Sequence, residues 1–335
     1  MTRSRPSGTR REAGRRRARQ RAAGLVLGYA ADRAFGDPRR WHPVSGFGCL
    51  AGNVERRGYA DSRFRGAVFT TVLVGTAAGA AAALDRVCRN RRLLSTAVTA
   101  AATWTALGGT TLAREAGAVE AHLGRDDLEA ARRQVTHLVG RDPESMDAHD
   151  VARAAIESVA ENTSDAVVAP LLWGAAFGPA GLLGYRAANT LDARVGHRSA
   201  RYERFGWASA RLDDLANLAP SRLTALLAMV LAPAIGGSPA AAWSAWARDA
   251  RQHPSPNAGP VEASFAGALG VRLGGANVYR GVVDDRGTLG DGPAPAHGDI
   301  ARAVRLAWLV GVCAIVIAAA GAGCRIDDAR GSPSN

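Results

Sequence analysis

A chain of 335 residues can build one large core or two modest ones without disulfide or metal staples. Its 42 basic residues are all arginine. The absence of lysine excludes a Walker-type phosphate loop and a pyridoxal phosphate aldimine. The net charge of +12 suits nucleic acid at first sight, but eight of those charges lie in residues 1–21, where nine arginines face Glu12 alone. Such a segment serves equally as an arm held on the cytoplasmic side of a membrane.

Residues 1–21 read as a disordered arginine-rich tail, 22–325 as a single membrane-embedded domain and 326–335 as a second disordered tail. Ala22 to Ala31 mimics a signal-peptide core with a basic start. The residues after it read as functional sequence rather than a mature N-terminus, and no twin-arginine pattern is present. Asp32 to Gly48 follows as a loop rich in turn formers, with Asp37-Pro38 and His42-Pro43 forcing extended backbone before each proline. His42 suits a ligand, a proton carrier or a hydrogen-bonded structural histidine.

Five runs lack Asp, Glu, Arg and His: Gly66–Leu84, Leu93–Leu112, Ala166–Tyr185, Leu223–Ala247 and Leu306–Cys324. They hold 19, 20, 20, 25 and 19 residues, and about 20 residues of helix cross a hydrocarbon core. The last run is apolar all round, as a helix in lipid or in a deep core must be. Small residues in the others suit close helix packing. Pro170, Pro179, Pro233 and Pro239 predict broken or re-entrant segments in the third and fourth runs. The fold expected is all-α, a polytopic integral membrane protein with polar motif loops. A soluble bundle of Ala-rich helices is the competing reading, in keeping with a mean hydropathy of −0.07. The four cysteines have no CxxC spacing and read as structural thiols.

Polar clusters adjoin these runs. Glu157, Glu161 and Asp165 fall four residues apart, which stacks three carboxylates on one helical face. A solvated face is the plain explanation; a cation such as Mg²⁺ would relieve the repulsion. Asn162 lies beside them. Arg186, Asn189 and Asp192 recur at three-residue steps before Gly196, and Asp213, Asp214 and Asn217 share one helical turn ahead of Arg222. Asn257 and Glu262 flank a short helix predicted within 254–290. GxGxxG, GxSxG and HExxH are absent.

Taken in order, these segments resemble the CobD/CbiB family of cobalamin biosynthesis. The residues that carry the resemblance are LGYAADRAFGDPRRWHPV (27–44), ESVAENTSDAVVAPLLW (157–173), YRAANTLDARVGHRSARYERFGWASARLDDLANLAPSRL (185–223) and PNAGPVEASFAGALGVRLGG (256–275), with Tyr279-Arg280-Gly281. The resemblance implies a multi-pass cell-membrane enzyme, its active face and N-terminal tail cytoplasmic. It implies an ATP-dependent, Mg²⁺-requiring ligase that joins adenosylcobyric acid to aminopropanol O-phosphate or aminopropanol. The product is adenosylcobinamide phosphate or adenosylcobinamide.

On that basis Glu157, Glu161, Asp165, Asp213 and Asp214 are expected to bind Mg²⁺ and take the amine proton, with Glu161, Asp165 and Asp214 as metal ligands. Asn162, Asn189 and Asn217 would orient carboxyl or amide groups, with Asp192 among the substrate contacts. Arg186 and Arg222 would neutralise phosphate, while Asp37, His42, Asn257 and Glu262 would line the corrinoid entrance. The expected partners are the two substrates, the lipid bilayer and other nucleotide-loop assembly enzymes, but no nucleic acid. A corrinoid transporter and a non-catalytic membrane scaffold are the competing classes.

Overall fold

The computed structural model describes residues 7–38, 42–140, 142–197, 199–279 and 282–324. The described chain is almost wholly helical, as expected, and divides into two compact units rather than one. The first comprises residues up to Leu107, Pro170–Asp213 and Ala314 onward; the second comprises Gly108–Ala169 and Asp214–Cys313.

In the first unit, α1 (Ser7–Phe35) lies along α4 (Arg92–Ala106). Gly24 and Gly28 permit this, because a Cβ on either would collide with Thr99 or Thr103 and with the α4 backbone. The arginine segment expected as a disordered tail is therefore, from Ser7 on, the first half of a docked helix in which Ala18 and Gln20 are buried. The expected tail at 326–335 lies outside the described residues. His42 caps α2 (Pro43–Gly58), and α3 (Arg63–Cys88) packs against α9 (Pro179–Leu191), where Gly184 meets Ala78. Phe69, Leu73, Leu191, Val195 and Phe205 form the core between them.

In the second unit, α5 (Gly109–Leu123) packs on α6 (Leu128–Val135) and α7 (Ala148–Thr163). Asp147 and Asp150 close a reciprocal capping box that starts α7. The centre is α12 (Ala258–Leu269), all twelve residues buried, with Gly267 letting α11 (Pro239–Asp249) approach backbone to backbone. Among the described residues, the departure from helix is an antiparallel hairpin of β1 (Leu273–Tyr279) and β2 (Val282–Leu289), irregular between Gly274 and Ala276.

Among the described residues, three helices have the length and apolarity of membrane spans: α3, α10 (Trp207–Leu231) extended by a 3₁₀ turn to Ile235, and α13 (His297–Cys324) up to Gly323. Only 22% of the apolar window of α3, and 39% of those of α10 and α13, is covered by protein, which leaves Val68, Val72, Val230 and Val316 exposed as lipid-facing side chains would be. The other two runs are broken. Leu93–Leu112 divides at Leu107-Gly108, where the backbone turns extended before α5. Ala166–Tyr185 passes through α8 (Ala169–Phe177) and a turn at Gly178, whose φ of +64° suits glycine. The fourth run breaks past Ile235, at Gly236, before α11 begins at Pro239.

Candidate functional site

Both motif helices end in the same device. α7 widens into a π-helical turn at Ser164–Val168, and α9 into another at Asp192–Gly196. Each turn contains a motif aspartate, Asp165 or Asp192, both half-buried. The sequences Asn162-Thr-Ser-Asp-Ala-Val-Val168 and Asn189-Thr-Leu-Asp-Ala-Arg-Val195 share the pattern N-T-x-D-A-x-V. In each, the threonine hydroxyl donates to the carbonyl four residues back: Thr163 to Val159 at 2.6 Å, Thr190 to Arg186 at 2.7 Å. That competes with the regular ladder immediately before it widens. This internal repeat was available in the sequence as an approximate seven-residue match, and it marks the two turns that spacing arguments miss.

In the first unit, Arg186 Nη1 donates to Asn189 Oδ1 at 3.3 Å, and Asn189 Nδ2 donates to Asp213 Oδ1 at 3.3 Å. Asp213 is buried. Arg186 and Asp213, expected in two separate sets, are thereby linked through Asn189. Gly196 closes the π turn because a Cβ there would strike the Asp192 carboxylate. Nearby, buried Glu55 accepts from Tyr202 Oη at 2.7 Å and Arg201 Nη2 at 3.2 Å, and pairs with Arg194 at 3.6 Å. Burial and the Glu55 carboxylate push the Tyr202 phenol up. This cluster, absent from the expected site residues, straps the segment after α9 onto α2.

His42 is hydrogen-bonded within the fold. Its Nδ1 accepts from the Val44 amide at 3.2 Å as the helix cap, and its Nε2 lies 3.3 Å from Asp37 Oδ1. Arg39, Arg40 and Trp41 of the same motif lie outside the described residues, as do Arg280 and Gly281.

In the second unit, Asn257 is the junction. Its Nδ2 donates to the Asp214 carbonyl at 2.8 Å, and its Oδ1 accepts from Arg222 Nη1 at 2.7 Å and Ser221 Oγ at 3.1 Å. Ser221 Oγ also donates to the Asn217 carbonyl at 2.7 Å. Asn257, at the start of α12, is thus a buried tie to α10 rather than an entrance residue, because both of its polar ends are committed inside the unit. Glu262 likewise departs from the entrance role: it has no exposed surface, sits on the wholly buried α12 and lies 3.7 Å from His253 Nε2. Glu157 is set apart from Glu161 and Asp165 by its burial. It does not stand in a row of three equivalent carboxylates, since it is buried and accepts from the Gly274 amide at 2.8 Å. Glu161, Asn162 and Asp165 are half-buried, and Asn162 Nδ2 donates to the Ser158 carbonyl at 2.9 Å.

Broken helices that carry polar motifs, beside helices of membrane-spanning apolarity, define an α-helical membrane protein. Comparison with known proteins then names the family: CobD/CbiB protein matches residues 25–307, and the chain belongs to that family. It is 53% identical over 298 residues to a cobalamin biosynthesis protein CobD of Mycobacterium tuberculosis, covering 89% of this chain and 95% of that one. The CobD proteins of Chromobacterium violaceum and Geobacter metallireducens are 45% and 44% identical, covering 84% and 86% of this chain and 90% and 92% of theirs. No solved structure matches the chain.

Proposed function

We propose that the chain is a membrane enzyme of cobalamin biosynthesis that joins the free carboxylate of adenosylcobyric acid to the amine of (R)-1-amino-2-propanol O-phosphate, or of the free amino alcohol, as an amide. The observation that carries this reading is the family match along residues 25–307, which includes nearly every motif residue discussed above. A carboxylate must be activated before an amine displaces its oxygen, and ATP with Mg²⁺ supplies that activation when bound.

The donor set suits such a group. Among the described residues no three His, Cys, Asp or Glu side chains gather as a metal cage. Mg²⁺ carried on a nucleotide needs only one or two carboxylates besides phosphate oxygens and water. Glu161, Asp165 and Asp214, each half-buried, are the hard oxygen donors in the second unit. Arg222, oriented by Asn257 and Ser221, and Arg186, oriented by Asn189, bind phosphate or carboxylate oxygens by charge-assisted hydrogen bonds. Asp165 and Asp213 are the candidates to take the proton of the attacking amine. Glu157 is left out of the chemistry, because its carboxylate serves the hairpin. Both substrates and ATP are cytoplasmic, so the working face and the N-terminus belong on that side, alongside the enzymes that complete the nucleotide loop.

The test is turnover of the purified chain in detergent with the corrinoid acid, aminopropanol phosphate and MgATP, with the amide product read by mass. Asp165→Asn and Asp214→Asn are expected to lose about 100-fold or more. Retained turnover in either removes that residue, and no ATP-dependent amide from the wild-type chain rejects the reaction.

A further inference from the structure

The arginine segment is not absorbed by this function, and its main part precedes the family match. The first half of α1 and the start of α4 enclose a cavity of about 310 Å³, lined by Glu12, Arg15, Arg16, Arg19, Gln20 and Arg92. Four arginines and one glutamate thus line it, Arg15 and Arg19 with exposed side chains. Two buried donors at this cavity have no hydrogen-bond partner: Arg16 Nε and Gln20 Nε2, the latter on a side chain only 7% exposed. Arg16 is itself held in place, since its Nη2 donates to the Asn90 carbonyl at 3.1 Å. A buried donor without an acceptor keeps its desolvation penalty uncompensated. An anion with several acceptor oxygens pairs with the exposed guanidinium groups of this lining and offsets the mutual repulsion of the arginines.

We infer that this cavity binds a phosphate group, and that its occupant is the head group of an anionic phospholipid. Size and surroundings favour a lipid over a free nucleotide. The cavity is at the small end of ligand pockets, enough for a head group. Immediately along the same two helices, Leu93 and Leu94 follow Arg92, and Val26 and Leu27 follow Gln20; these side chains are 86%, 43%, 47% and 56% exposed. A phosphate in the arginine cavity leaves acyl chains to cover those four. Basic pockets between membrane helices bind anionic head groups by this combination of charge and adjoining apolar surface.

The full chain, purified in neutral detergent, is titrated with phosphatidylglycerol, phosphatidylcholine or ATP, and bound lipid is counted by native mass spectrometry. Phosphatidylglycerol is expected to bind about tenfold more tightly than phosphatidylcholine. Arg15→Gln, Arg19→Gln and Arg92→Gln should each abolish most of that preference. Arg17→Gln, on the same helix with the same change of charge but exposed and outside the cavity lining, should preserve it. Equal binding of the two lipids overturns the site. Equal weakening by Arg17→Gln overturns the cavity in favour of net charge, and ATP displacing phosphatidylglycerol one for one overturns the lipid as occupant.

Discussion

Glu157 Oε1 accepts a hydrogen bond from the backbone amide of Gly274 at 2.8 Å, which ties the middle of α7 to the start of β1 across 117 positions of chain. Gly274 has a φ of +78°, and a Cβ there would collide with the Gly287 carbonyl on the partner strand. The carboxylate therefore holds a glycine corner that no other residue type could form. Glu157→Gln keeps an acceptor oxygen at that place and should retain turnover within about threefold, whereas Glu157→Ala strands a buried amide and should lower stability by about 1–3 kcal/mol. Comparing turnover with thermal unfolding separates the two; loss of turnover in a stably folded Glu157→Gln returns the residue to catalysis.

Asn257 should be intolerant of its nearest isostere. Asn257→Asp can still accept from Arg222, but it replaces the donor to the Asp214 carbonyl with an oxygen, so two acceptors face each other. Unfolding in detergent should show a loss of about 1–3 kcal/mol for Asn257→Asp and for Asn257→Ala alike. A neutral Asn257→Asp would show that the Asp214 contact contributes nothing.

Asp249 gives the second unit an acid-labile tie. Burial pushes its carboxyl up, but hydrogen bonds from Arg248 and the Gly290 amide outweigh burial and hold it below its ordinary value of 3.8. A lowered carboxyl contributes stability that is complete above the unfolded value, near pH 4, and is lost as pH falls through the folded one. The difference in unfolding temperature between wild type and Asp249→Asn should thus be constant from pH 8 to 5 and shrink below about pH 4. A difference that grows on acidification contradicts this sign.

Glu55 should matter more than either arginine it binds. It is buried, while Arg194 and Arg201 keep 38% and 51% of their side chains exposed and can return to water. Glu55→Ala should cost about 1–3 kcal/mol, and Arg201→Ala about 1 kcal/mol or less. Equal losses, measured by thermal unfolding, would place the pair's energy in the Arg201 stacking on Tyr59 instead.

The helical class, the apolar spans at α3, α10 and α13 and the family were all legible in the sequence. Each rests on local composition or on collinear motifs. The repeat N-T-x-D-A-x-V was present too, but its meaning was not, since a π turn arises from a backbone competition that α-helical spacing does not register. The hairpin was missed because its short strands are rich in glycine and aspartate and are held by partners distant in sequence, Glu157 and Gln252.

Sequence by itself determined which residue types this protein can use: arginine in place of lysine, carboxylates and amides at helical spacing, and glycines where helices must touch. Tertiary structure alone decided which of them are buried against internal partners. Glu157 and Asn257 have the same side chains as residues one would assign to a substrate, yet burial commits them to internal hydrogen bonds, because a polar group removed from water must be satisfied by protein. The reverse holds for the arginine segment. Its composition alone reads as a solvated tail, and only the packing of Gly24 and Gly28 on α4 brings Arg16 and Gln20 to a shared cavity with Arg92.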